Sequence, residues 1–81
     1  MSIHLINILA NCIHISKKYN NIVLKDLLFN YADKKLNKKQ ILFLYIKIAT
    51  IKEDTDLYYF FDNWIKYHNK KMIKQLLYFE Y

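Results

Sequence analysis

Not one glycine and not one proline occurs among the 81 residues of the chain, and that absence constrains the fold more than any residue present. Tight hairpins need backbone positions at φ > 0, which glycine supplies without steric cost, and β-rich folds punctuate their turns with Gly and Pro. Average usage of about 7% and 5% would put several of each in a chain of this length. The sequence therefore argues against a sheet protein, whereas helices lose nothing. Its turns fall to Asn, the residue that next best tolerates the left-handed region, and Asn20, Asn21, Asn37 and Asn69 are spaced to take them.

Size and apolar content set the next bound. A chain of 81 residues supports one domain with one modest core, so residues 1–81 read as a single all-α domain, a compact bundle of four to five helices. Hydrophobic residues make up 54% of it, above the ~45–50% of an average domain, which excludes disorder. So large an apolar load on so small a body is hard to hide, and some of the eight Tyr and five Phe are expected at the surface under a partner.

Periodicity divides the chain. From Ser2 to Tyr19 the polar residues His4, Asn7, Asn11, His14 and Lys18 recur at steps of three and four, with nearly everything between them apolar. This is a core helix with one narrow wet stripe, packing on more than one neighbour. Ile22 to Leu36 reads as a second helix, with Ile22, Val23, Leu24, Leu27, Leu28, Tyr31 and Ala32 inward and Asp26, Asn30 and Asp33 outward. Asn37 followed by Gln40 has the form of a capping box and starts a third helix at Lys38. From Ile41 to Ile51 only Lys47 and Thr50 are polar, a pattern that a buried helix shares with a buried strand. Helix is preferred because no strand partner with turn chemistry exists elsewhere. Lys52 to Asp56 reads as a loop ending in a helix cap. The last segment carries Leu57, Phe60, Phe61, Trp64, Ile65, His68, Met72, Leu76 and Phe79 at helical steps, as one helix or as two broken at His68-Asn69.

Residues 13–33, IHISKKYNNIVLKDLLFNYAD, resemble the helix pair of an ankyrin repeat, with Ile13-His14, Leu27-Leu28 and Ala32-Asp33 near the expected places. At a spacing of 33 residues Ile46, Ile48, Leu57 and Asn63 match Ile13, Ile15, Leu24 and Asn30. The resemblance implies a helical adaptor. The glycines and the Thr-Pro turn of that family are missing, so no binding residues carry over from it.

Chemistry is excluded more firmly than binding. Without glycine there is no phosphate-cradling loop and no dinucleotide fingerprint. His4, His14 and His68 lack a ligand partner at helical spacing, so no metal site or cofactor is expected. Ser2, Ser16, Thr50 and Thr55 stand in no nucleophile context, and the chain reads as non-enzymatic. Cys12 reads as a buried, reduced thiol. No secretory signal is visible at the N-terminus, and no apolar run approaches the ~20 residues of a membrane span, which together predict a cytoplasmic protein without a membrane partner.

Surface remains. All thirteen basic residues are Lys, giving a net charge of +6. Their excess, with abundant Ile, Asn, Tyr and Phe, also matches the codon usage of an AT-rich genome, so part of the charge is codon drift. Lys34, Lys35, Lys38 and Lys39 bracket the turn between helices two and three, and Lys66, Lys70, Lys71 and Lys74 cluster on the last segment. Lysines of this kind suit phosphate contact rather than base readout. Tyr58, Tyr59, Tyr67 and Tyr78 are the aromatics expected to meet a partner. The expected role is a small accessory protein docking on structured RNA within a ribonucleoprotein assembly such as a ribosome-like particle. The competing role is a protein-interaction module, such as a viral or parasite effector, an ankyrin-like adaptor or a toxin-immunity protein. A second copy of the chain fits that role equally well.

Overall fold

The computed structural model describes residues 3–67. They form α1 (Ile3–Lys18), α2 (Ile22–Lys35), α3 (Lys38–Ala49) and α4 (Asp56–Tyr67), and no strand occurs among the described residues. The segment that periodicity left open, 41–51, is helical to Ala49. The bend expected at His68-Asn69 and the cap expected at Asn69 lie outside the described residues.

Asparagine does at the turns what glycine does elsewhere. Asn20 takes φ 55, and the amides of Asn20 and Asn21 return to the carbonyls of Lys17 and Ser16 at 3.1 and 2.8 Å. That 5→2 and 6→1 pair is a Schellman closure of α1 with Asn in the left-handed position. Asn21 then caps α2 by accepting from the amide of Leu24 at 3.1 Å. At α3 the capping box closes both ways, Asn37 Oδ1 accepting from the Gln40 amide and Gln40 Oε1 from the Asn37 amide, each at 2.9 Å. Thr55 Oγ1 accepts from the Tyr58 amide at 3.2 Å and opens α4, with Asp56 in its first turn.

The core is α1 with the other three helices around it. Leu9, Ala10, Ile13 and Ile15 are fully buried, against Leu24, Leu28 and Ala32 of α2, Leu44 of α3, and Tyr58, Phe61 and Ile65 of α4. In a repeat stack each unit packs on its neighbour. Here every later helix packs on the first, so the ankyrin-like pattern of residues 13–33 is confined to one helix pair.

Three expectations are corrected. Ile22 and Val23 point outward, because the buried stripe of α2 is Leu24, Leu28, Tyr31 and Ala32, and a step of about 100° per residue carries its first two residues off that stripe. The apolar segment beginning at Ile41 is not a core helix. Leu44 is its buried member, with Ile41, Ile48 and Ile51 half-buried beside it, while the residues between them face out. The wet stripe of α1 is largely covered: Asn11 is buried and Asn7 and His14 are half-buried, leaving His4 and Lys18 exposed.

Candidate interaction surface

The outer face of α3 joins two kinds of residue. Lys38 and Lys39 are exposed in its first turn, and Leu42, Phe43, Tyr45 and Ile46 follow at 63%, 53%, 52% and 60% exposure. Steps of four and eight from Lys38 reach Leu42 and Ile46, and a step of four from Lys39 reaches Phe43, so basic and apolar groups form one stripe. Lys34, at the end of α2, is exposed across the turn, while Lys35 is half-buried. At the edge of the stripe, Phe43, Ile46 and Lys47 line a mainly apolar cleft of about 230 Å³ with Ile6 and Asn7 of α1. The Tyr45 ring is braced by Phe29 at a centroid distance of 6.0 Å.

Lysines in the first turn of α3 face the positive end of the helix macrodipole, and no acidic residue stands there to offset them. Lys34 and Lys35 sit in the last turn of α2, where the dipole favours cations. The turn thus gathers positive charge on both sides.

The tyrosines divide. Tyr59 is exposed, next to exposed Phe60, but Tyr58 is 1% exposed and does not belong to an outer surface. Tyr58, Phe61 and Ile65 fall at steps of three and four on the face of α4 turned to α1, and Tyr59 is one residue off it. Lys66 is exposed in the last turn of α4. Lys70, Lys71, Lys74, Tyr78 and the side chain of Tyr67 lie outside the described residues.

Tyr58 anchors a polar seam between α1 and α4. Its hydroxyl donates to Glu53 Oε1 at 3.1 Å and lies 3.1 Å from Nδ1 of His14. With the phenol proton directed at Glu53, the Tyr58 oxygen is left to accept from His14, which assigns the imidazole proton to Nδ1. Burial, followed by the hydrogen bond to Glu53 and its charge, holds the phenol well above its ordinary range. One turn further on, Tyr19 donates to Asp62 Oδ1 at 2.7 Å, and Lys18 Nζ lies 3.6 Å from the same oxygen. Nothing in the local spacing of either helix announces these pairs.

Two acceptors in α1 are unspent. Asn7 Oδ1 and Asn11 Oδ1 are buried without a hydrogen-bond partner, a state that costs about 1–3 kcal/mol each. Both residues line a cleft of about 270 Å³ that also touches Lys47, Ile51, Lys52 and Leu57. The sequence pattern marked these asparagines only as a solvated stripe, and the residues of the α3–α4 region that share their cleft could not be read from α1 itself. Burial pushes the Cys12 thiol up to about 12, as befits an inert core cysteine. No group of three or more His, Cys, Asp or Glu that could hold a metal ion occurs among the described residues.

The described residues define a small all-α domain built around a central N-terminal helix. No family model matches the chain, and neither does any curated protein or solved structure. No helix among the described residues is long and apolar enough to cross a membrane.

Proposed function

We propose that the chain is a non-enzymatic accessory protein that docks on a ribonucleoprotein assembly, with Lys34, Lys35, Lys38 and Lys39 toward phosphates and the outer face of α3 toward a protein neighbour. The single observation that carries this reading is the continuity of the α3 stripe, where exposed Lys38 and Lys39 run directly into exposed Leu42, Phe43 and Ile46. A purely protein partner has no need of the first half, and a bare nucleic acid has no need of the second. An anionic group at the α2–α3 turn would also offset lysines that the α3 dipole disfavours.

The second reading is a protein-interaction module with no nucleic-acid role. Apolar exposure on α4 as well, at Tyr59 and Phe60, favours it.

Capture of the tagged protein from its native host, with and without nuclease and across a salt series, separates the two. Phosphate contacts release counterions, so four engaged lysines give log K a slope of roughly −3 to −4 against log salt. Replacing Lys34, Lys38 and Lys39 by Gln flattens that slope if RNA is bound. Retention of one defined partner after nuclease and at high salt, unchanged by the Lys replacements but lost with Leu42→Ser and Ile46→Ser, selects the second reading.

A further inference from the structure

We propose that the outer face of α3 pairs with the same face of a second copy of the chain, the two helices lying antiparallel about a twofold axis, and that this dimer closes the docking face of the free protein. The dimer stands on the chain's own residues and rests on the docking reading only for what displaces the second copy.

The seam has the spacing of paired helices. Lys39, Leu42, Ile46 and Ala49 recur at steps of three, four and three, Tyr45 stands beside them, and all five are exposed. A stripe repeating in this way is the line along which two helices meet. Leu44, on the other side of α3, is held in the core of its own chain. Rotating α3 to hide the outer stripe would expose Leu44, so the stripe is covered only from outside.

Charge selects the occupant. Lys38 and Lys39 are exposed in the first turn of α3, whereas exposed Glu53, Asp54 and Asp56 follow its end against one cation, Lys52. Lys38, Lys39 and Asp54 make no ion pair among the described residues. The seam is thus basic at one end and acidic at the other, with its charges unspent. A second copy turned end for end supplies the opposite charge at both ends. It also brings the lysines to the negative end of the other α3 macrodipole, offsetting the repulsion from their own helix. A parallel pair would set lysine on lysine.

A twofold axis through position 44 faces Leu42 with Ile46 of the second copy and Lys39 with Ala49 of the second copy. The small Ala49 leaves room for the lysine stem, whose ammonium reaches on toward the acidic loop. Such a contact is isologous and closes at two copies. The seam is one helix of 12 residues long, and so short an interface falls below the ~1,200 Å² of a standard one. The second copy therefore exchanges readily. An assembly that offers phosphates to the lysines and an apolar neighbour to Leu42 and Ile46 displaces it.

Sedimentation equilibrium of the full chain over a concentration series tests this. The mass is expected to rise from 10.0 kDa toward twice that value, with a midpoint in the tens to hundreds of micromolar, as suits a small interface. Leu42→Glu with Ile46→Glu, and separately Leu42→Lys with Ile46→Lys, should each weaken self-association at least about tenfold, whereas an equimolar mixture of the two should pair. Lys38→Glu with Lys39→Glu puts acids where the α3 dipole favours them, so the chain stays folded by circular dichroism while dimerisation weakens. Adding Asp54→Lys to that chain should restore dimerisation in part. A chain that keeps the mass of one copy up to roughly 1 mM overturns the proposal, and so does self-association that none of these changes alters. A dimer in a chain that captures no nuclease-sensitive complex from its host keeps the seam and removes the docking reading. A monomer at every concentration that still captures such a complex does the reverse.

Discussion

The Tyr58 hydroxyl lies 3.1 Å from Nδ1 of His14 across 44 residues of sequence. The rings meet edge to face, with centroids 5.6 Å apart. Because Tyr58 is 1% exposed, this contact pins the start of α4 to α1, and Glu53 extends it into the preceding loop.

Removing the hydroxyl alone should therefore be felt. Tyr58→Phe keeps the packed ring but forfeits two hydrogen bonds and leaves the His14 donor unpaired, an expected loss of about 1–3 kcal/mol. Tyr58→Ala adds a cavity and should cost about 3–5 kcal/mol. Urea denaturation followed by circular dichroism measures both. A double-mutant cycle with His14→Phe checks the pairing, because the combined loss should fall short of the sum of the single losses.

Alkaline pH should destabilise the fold through two buried acids. Cys12 titrates at 9.0 in the reference state and near 12 in the folded chain, and the Tyr58 phenol is likewise raised above its reference value of 10.0. As pH climbs past 9.0 the unfolded chain gives up these protons before the folded one does, so it binds fewer protons and unfolding is favoured. Stability is thus complete below that point and falls progressively toward pH 12. Denaturation midpoints measured through this range should decline, and Cys12→Ala should flatten the decline even though it lowers the starting value. A chain whose midpoint is level through this range would show that neither group is shielded as described.

The asparagine turns give a sharp contrast between substitutions. Asn20 sits at φ 55, where a Cβ without a compensating polar group is penalised by about 1 kcal/mol or more. Asn20→Ala should lower stability by roughly that amount, while Asn20→Gly should be neutral or mildly stabilising. Asn37→Ala removes one half of the capping box and should cost about 1 kcal/mol. Thermal melts of the three variants under one condition decide the matter.

These turns were legible in the sequence because cap chemistry is local: Asn37 and Gln40 need only their own spacing to find each other. The same holds for the central role of α1, whose apolar circumference required several neighbours. What stayed hidden depends on partners distant in sequence. In α3 both faces are apolar, so hydrophobicity could not say that Ile41, Leu44 and Ile48 turn inward while Leu42, Phe43 and Ile46 turn out. In α4 the adjacent Tyr58 and Tyr59 are chemically identical, and only the direction of α1 separates the buried one from the exposed one. The asparagines of α1 looked solvated because their cover comes from residues 47–57.

That two-faced helix yields the last prediction. Leu44 is 1% exposed whereas Leu42 and Ile46 are 63% and 60% exposed. Leu44→Ala should cost about 2–5 kcal/mol, as expected for a buried leucine. Leu42→Glu and Ile46→Lys exchange exposed apolar groups for charged ones four residues apart and in the favourable order, so the isolated helix gains a few tenths of a kcal/mol rather than losing any. The doubly charged variant should unfold within about 0.5 kcal/mol of the unaltered chain. It should also remain soluble at higher concentration, because it breaks up the largest apolar stripe on α3. Equilibrium denaturation gives the first result and light scattering over a concentration series the second. If Leu42→Glu with Ile46→Lys unfolds as readily as Leu44→Ala, the outer stripe is covered within the molecule and is not free to dock a partner.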